Sequence, residues 1–419
     1  MNNVELILIL LGTILVTGAI GKYTKLPSTI LFLLTGLIIS LVAHTALIEL
    51  NPHFFFLLVL PPLLFDAAQS ISFDELKMWR LQIITLAVGL VLFTAGIVAY
   101  FAHRFIPGIS WPLGWLIGAL ISPPDAIAAT SSTKGLKLSP RIITIIEGES
   151  LINDASALII YQYALDMVNT NHFAIGWAGF SFLKISILSV VIGFGFGIIN
   201  HKILVKAKDA TLATILSLVV PLFAYSISEH FHLSGVLTVV TCGLYTAYYS
   251  FELNAAHIKL RIKEFWEVLV FLLNAGVFLV LGLQLPELTH QFSMLELQHL
   301  IAAGFFLSLV VILARMIWIF PLSTLRVWLS NQCGNFSDNL NKKFFAEVFI
   351  VAWSGMRGAV SLAAALAIPL MISSNTEFPM RNQILLITFV VILFTLIIQS
   401  ITLPFFIKKL KLDQSEEII

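Results

Sequence analysis

The chain has 419 residues, of which 58% are hydrophobic and only 11% charged, and its mean hydropathy is +0.97. A soluble domain carries about 25% charged residues, so the composition excludes an ordinary soluble fold and points to an all-α polytopic membrane protein. The formal net charge of +1 leaves no basic face for nucleic acid, and Cys242 and Cys333 lie too far apart in sequence to suggest a disulfide framework or a CxxC metal site.

A spanning helix needs about 20 mainly apolar residues, and the strict alternation of a membrane barrel is missing. Thirteen candidate spans follow in order, over residues 4–20, 27–43, 52–69, 81–101, 111–131, 142–165, 178–199, 211–229, 232–250, 265–284, 298–321, 345–369 and 384–407. The opening stretch MNNVELILIL lacks the positive segment of a signal peptide and reads as a retained first span. Residues 1–411 are expected to form one transmembrane unit: a first repeat over 4–165, a connector span over 178–199 and a second repeat over 211–407. Residues 412–419 read as a short tail. Gly193, Gly195 and Gly197 in the connector suggest close helix packing.

Lys and Arg in the loops set the orientation. With the N-terminus outside, 19 of the 24 fall on the cytoplasmic side, from Lys22 and Lys25 after span 1 to Lys408, Lys409 and Lys411 after span 13. Lys134 and Lys137 belong to the same set, whereas the outer loops hold only Arg104 and Arg381. The expectation is therefore a multi-pass membrane protein with an outside N-terminus and a cytoplasmic C-terminus.

Charge within the spans carries the chemistry. An ionised residue at the bilayer centre costs roughly 2.5–3.5 kcal/mol on insertion scales, so such residues normally face a bundle interior and mark a pathway. Span 5 reads GWLIGALISPPDAIAATSST. Pro123 and Pro124 each remove a backbone donor, which should open the helix just before Asp125. Span 6 carries EGESLINDASALIIY over residues 147–161. At 100° per residue, Glu147, Ser150 and Asp154 share one stripe and Asn153 adjoins it, while Glu149 points elsewhere. A buried carboxylate off that stripe wants a cation. Arg357, between Gly355 and Gly358 in span 12, is the expected partner, giving a structural ion pair between spans 6 and 12.

Interruptions in spans 5 and 12 lie seven spans apart, as two inverted six-span repeats around span 7 would place them. Paired interrupted spans point to a transporter's binding site. Asp125, Asp154, Asn153, Ser150 and the Pro124 carbonyl are hard oxygen donors, suited to a small hard cation and to no transition metal. Two carboxylates this close, partly out of water, do not both stay ionised without a cation. Such a site accepts protons or a metal ion, and obligate exchange follows if the protein changes sides only when the charge is neutralised.

The stretch ISPPDAIAATSSTKGLKLSPRIITIIEGESLINDASALIIY resembles the core of the bacterial and eukaryotic sodium/proton exchangers of the monovalent cation/proton antiporter family. That family usually reads S-P-T-D-P-V-A in its fifth span and E-G-E-S-L-x-N-D in its sixth. MRGAVSLAAAL, LPPLLFDAA and FWEVLVFLLNAGVFLVLGLQL also look like family segments, so the resemblance covers nearly the whole chain. It implies about thirteen helices with inverted repeats and two crossed, unwound helices in spans 5 and 12. It also implies a homodimer with an elevator-like movement, and exchange of protons for sodium, with lithium or potassium also open, without any cofactor. By the same resemblance Asp125 is the span-5 aspartate, Asn153 and Asp154 are the Asn-Asp pair of electroneutral exchangers, and Arg357 partners Glu149. Two departures stand out: the family's Thr-Asp-Pro is here Pro124-Asp125-Ala126, and the long regulatory tail of many relatives is missing.

Other readings stand beside these. Asp154 also reads as a buried structural carboxylate, and Asp125 as an N-cap after the prolines, which ion binding does not exclude. Asn153 reads as ligand or interhelical hydrogen bonder, and Ser150 as a donor to a carbonyl one turn back. Glu147 suits a hydrated funnel, Asp66 and Arg315 suit structural or gating contacts, and His230 and His232 suit an interface rather than a metal pair. A cation channel or uniporter and an intramembrane aspartyl hydrolase are the alternatives to an antiporter. No P-loop indicates a primary pump.

Overall fold

Each apolar run becomes a helix, and the runs that carry proline or glycine pairs become broken ones. The computed structural model describes residues 3–21, 23–24, 27–43, 55–133, 135–170, 175–249, 256–332, 342–372 and 376–413. Lys22, Lys25, Lys134, Cys333 and residues 414–419 of the tail lie outside the described residues.

Among the described residues the order is α1 (Asn3–Gly21), α2 (Ser28–Ala43), α3 (a π-turn at Phe55–Val59, then Leu60–Ser70), α4 (Phe73–Phe105), α5a (Trp111–Ile121) and α5b (Ala126–Ser132). Then come α6 (Pro140–Thr170), α7 (Ile175–Lys206), α8 (Ala210–His230), α9 (Gly235–Tyr248) and α10 (Ala256–His290). The chain ends with α11 (Met294–Gln332), α12a (Lys342–Trp353), α12b (Ala359–Leu366) and α13 (Arg381–Lys409). Counting each broken pair once, these are the thirteen expected spans, with no named strand among the described residues. Pro61 and Pro62 supply no N–H to the carbonyls of Leu57 and Leu58, which accounts for the widened π-turn ahead of α3.

Among the described residues, seven helices are long and apolar enough to cross a membrane: α4, α5, α7, α8, α10, α11 and α13. Helix α6 is long enough at 31 residues but is diluted by its acids, and α12 falls short because it is broken.

Packing separates the helices into two bundles. Helices α4, α5, α6, α11, α12 and α13 pack mainly on one another, and α1, α2, α3, α8, α9 and α10 form the second set with α7 against α8 and α9. Each bundle thus takes three consecutive spans from the first six and three from the last six. Glycine permits the closest approaches. A Cβ on Gly36 would collide with the Leu279 carbonyl and one on Gly282 with the Leu33 carbonyl, locking α2 to α10. Gly193 and Gly197 meet Thr238 and Tyr245 in the same way and serve helix packing, whereas Gly195, expected to do the same, has open space beside it. Between the bundles the seam is lighter. It includes contacts of α3 and α9 with α6, of α10 with α12b, and a Thr29–Ser131 hydroxyl contact at 3.4 Å.

Buried windows differ accordingly. The apolar window of α5 is 78% buried, whereas that of α7 is 17% buried and leaves its side chains outward. Broken backbone in a membrane is tolerated only where protein or a water-filled cavity surrounds it, and α5 has that protein around it.

Candidate ion site at two crossed helix breaks

The break in α5 follows from a donor count. In an unbroken helix the N–H of residues 123 to 126 would serve the carbonyls of residues 119 to 122. Pro123 and Pro124 have none to give. The Asp125 N–H turns instead to the Met356 carbonyl at 2.7 Å, and the Ala126 N–H to Ser150 Oγ at 3.1 Å. Ile121 and Ser122 are left with free carbonyls, and Arg357 supplies them: its Nε donates to Ile121 O at 2.8 Å and its terminal nitrogen to Ser122 O at 3.3 Å. Ser122 Oγ reaches back to Ala119 O at 3.4 Å.

The break in α12 is completed by arginines. Residues 354–358 separate α12a from α12b, and the carbonyls at the end of α12a are taken by Arg315 of α11. Arg315 donates to Val351 O at 3.0 Å and to Ala352 O at 3.1 Å. Arg357 donates to Gly355 O, and its own backbone N–H reaches Thr395 Oγ1 at 3.3 Å. Positive side chains at helix C-termini also meet the negative end of the macrodipole.

Glu149 is where the sequence-based expectation fails. Its carboxylate is held by both terminal nitrogens of Arg315, one of them at 2.7 Å, and all three groups are buried, Glu149 at 1%, Arg315 at 2% and Arg357 at 1% exposure. Arg357 is therefore not the direct partner of Glu149. The physical reason lies in the breaks: freed carbonyls claim Arg357, and α11 delivers a second guanidinium whose planar fork fits a carboxylate. The ion pair is real, but it joins α6 to α11 and, through Arg315, to α12a.

The breaks cross where the cavity ends. A cavity of about 260 Å³ opens along the seam between the bundles. One wall carries Pro123, Pro124, Asp125, Thr130, Glu147, Ser150, Asp154, Gly358 and Ser361, and the other Asp66, Ser70, Val270 and Asn274. Glu147, Ser150 and Asp154 line it together, as their shared helical stripe requires, and Glu149 faces away. Asp154 is 7% exposed. Asp125 caps α5b, its Oδ1 accepting from Ile127 N at 2.8 Å, and its carboxylate also abuts Gly358 so closely that a Cβ there would overlap it. Asp125 thus sits between the N-termini of both half-helices, where partial positive charge favours a carboxylate.

Asn153 is fully buried and outside the cavity lining. Its Nδ2 donates to the Pro124 carbonyl at 2.9 Å, and its Oδ1 has no hydrogen-bond partner among the described residues. Ser150 accepts from Ala126 and so braces the break, instead of donating to a carbonyl one turn back. Sequence reasoning passed over Asn274 and Ser361, uncharged polar residues whose insertion cost is too small to stand out in an apolar run. It left Asp66 among structural or gating contacts, whereas Asp66 lines the cavity.

The arrangement has counterparts. The family described as "Sodium/hydrogen exchanger, transmembrane" matches residues 7–409. The chain belongs to this family. The chain is 30% identical over 414 residues to the "Sodium, potassium, lithium and rubidium/H(+) antiporter" of Bacillus pumilus, covering 96% of this chain and 61% of that protein. It is also 30% identical over 420 residues to the Na(+)/H(+) antiporter NhaH of Halobacillus dabanensis, covering 96% of this chain and 97% of that one. The solved structure of the sodium proton antiporter MjNhaP1 from Methanocaldococcus jannaschii superposes with a TM-score of 0.76 at 19% identity, covering 98% of this chain and 99% of that one, and shows the shared fold.

Proposed function

We propose that this exchanger is a secondary antiporter that moves protons against monovalent cations, sodium first and lithium or potassium also, by competition at Asp125 and Asp154. The observation that carries the reading is the placement of these two carboxylates in one seam cavity, beside two crossed helix breaks. The donor set is all oxygen, as a small hard cation requires. Ser150 and the Pro124 carbonyl complete the near wall, and Asn153 holds Pro124 in place. The names of the Bacillus pumilus and Halobacillus dabanensis relatives support a monovalent set that includes sodium.

The cavity lining runs from buried Asp154 and Ser361 to the less buried Asp66, Ser70, Thr130 and Glu147 near the lysine-rich loops, which supports an opening toward that end. Toward the other end Ala157, Tyr161, Ala365 and Ile368 are buried. Lysine-rich loops favour the cytoplasmic side, so the reading places the cavity open to the cytoplasm, with the N-terminus outside in the bacterial inner membrane. Alternating access then requires the wall bearing the aspartates to shift against α3 and α10. The three-plus-three origin of each bundle supports inverted repeats over 4–165 and 211–407 around α7, and the homodimer rests on the family resemblance. Asn153 beside Asp154 supports electroneutral exchange, one proton per cation.

Proteoliposomes test the whole reading. Proton movement driven by lithium, sodium and potassium in turn is expected, unchanged when the membrane potential is clamped. Cation current without proton counterflow would establish a channel instead, and voltage-driven exchange would remove electroneutrality.

A further inference from the structure

Helix α10 contributes Val270 and Asn274, one turn apart, to the wall opposite the aspartates. That wall belongs to the other bundle, because α10 is interlocked with α2 through Gly36 and Gly282. Asn274 is half-buried in the cavity lining, and its amide makes no hydrogen bond among the described residues. An amide in a membrane span normally earns its place by bonding a neighbouring helix. This one bonds no neighbouring helix among the described residues and lines the cavity that Asp125, Asp154 and Ser361 line from the far side.

We infer that Asn274 is a specificity-determining residue that supplies a neutral oxygen to the transported cation in the cavity-open state shown here, and only in that state. The inference rests on the antiporter reading. Its oxygen suits an alkali cation as the carboxylates do, and it adds no titratable charge, so the proton count of the cycle is unaffected. The one-sidedness follows from the bundle it belongs to. A shift of the aspartate wall by even one helical turn, about 5.4 Å, carries the cation beyond the reach of a side chain anchored in α10. The same ion therefore has one more ligand when it faces the lysine-rich side than when it faces the other.

The test uses Asn274→Ala and Asn274→Ser in proteoliposomes sorted by orientation, with half-saturating sodium read from proton movement on each face. Loss of one neutral ligand is worth about a 2- to 12-fold change. The expected result is a rise of about fivefold on the lysine-rich face for Asn274→Ala, with the other face within about twofold. Partial recovery is expected in Asn274→Ser, whose hydroxyl restores an oxygen, and unchanged melting temperatures in both. A residue that only supports packing would shift both faces alike and lower the melting temperature, and that result, or no shift on either face, overturns the inference. Parent protein that moves no protons with any alkali cation removes the antiporter reading as well, whereas an active parent with a symmetric variant removes Asn274 alone.

Discussion

Helices α5 and α12 are both interrupted deep in the protein, yet they are broken by opposite means. In α5, prolines subtract donors and the freed backbone is repaired from elsewhere: Arg357 for the carbonyls, Ser150 and Asp125 for the N–H groups. In α12 the sequence offers two glycines, and two buried guanidiniums do the repair. The difference separates two roles. The α5 break delivers a carboxylate to the cavity, while the α12 break supplies the positive ends and the Gly358 surface against which that carboxylate rests. The Glu149–Arg315 pair helps hold the crossing together, whereas Asp125 and Asp154 line the cavity.

The largest expected effect follows from that division. Asp154→Asn is expected to abolish alkali-driven proton movement while the protein stays folded, because among the described residues Asp154 makes no ion pair whose loss would unbalance the core. A well-folded variant that exchanges at the parent rate would show that the cavity carboxylates are structural after all.

On the structural side of the division, Glu149→Ala or Arg315→Ala leaves a buried charge without its partner, at a cost of roughly 3–5 kcal/mol. The double variant is expected to lose less than the two singles together. Double-mutant cycles in detergent, read by thermal or denaturant unfolding, should give a larger coupling for Glu149 with Arg315 than for Glu149 with Arg357. The reverse order would reinstate the pairing expected from sequence.

That correction marks how far the sequence reaches. Pro123, Pro124 and the stripe Glu147, Ser150, Asp154 are local signals: a missing donor and a helical period need no tertiary information, and both appear where they were expected. The thirteen apolar runs are equally local. Arg315 has no such signature. It stands alone in an apolar span, and nothing near it in the chain says which of the buried acids it meets. Partner choice was decided by the carbonyls that two remote breaks set free, a property of the crossing and of neither helix. Asn274 escaped for a different reason. An uncharged amide has no ionic partner to demand, and only the seam gives it something to face.

Gly358→Ala probes the contact between the two breaks. The new methyl would fall on the Asp125 carboxylate, and overpacking of this kind costs about 1–3 kcal/mol. If the carboxylate gives way, exchange should fall by about tenfold with a modest loss of stability, read by proton flux and melting on the same preparation. An unimpaired flux would mean that Asp125 can move aside without consequence for the ion.

The smallest effect sharpens the comparison from outside the membrane. Asp209 opens α8 as Asp125 opens α5b: each is followed by alanine, and each accepts from the first turn of its helix. Asp209 Oδ1 takes Thr211 N–H at 2.7 Å and Leu212 N–H at 2.9 Å. Those backbone bonds, Leu212 first, hold its carboxyl below the usual range, with Arg261 adding to the effect. A carboxyl lowered in the folded state contributes stability above its unfolded value, near 3.9, and that contribution fades as the pH falls through the folded value. Asp209→Ala should therefore lower the melting temperature slightly at neutral pH, with the gap to the parent narrowing below about pH 4, and should leave cation affinity alone. A gap of equal size at pH 3 and pH 7 would show that the cap works without its charge. The same cap at Asp125 cannot be tested by stability alone, because there the carboxylate that closes the helix also lines the cavity. What α8 does with an aspartate in water, α5b does beside a cavity, and under the proposed function only the second placement makes a helix cap a binding group as well.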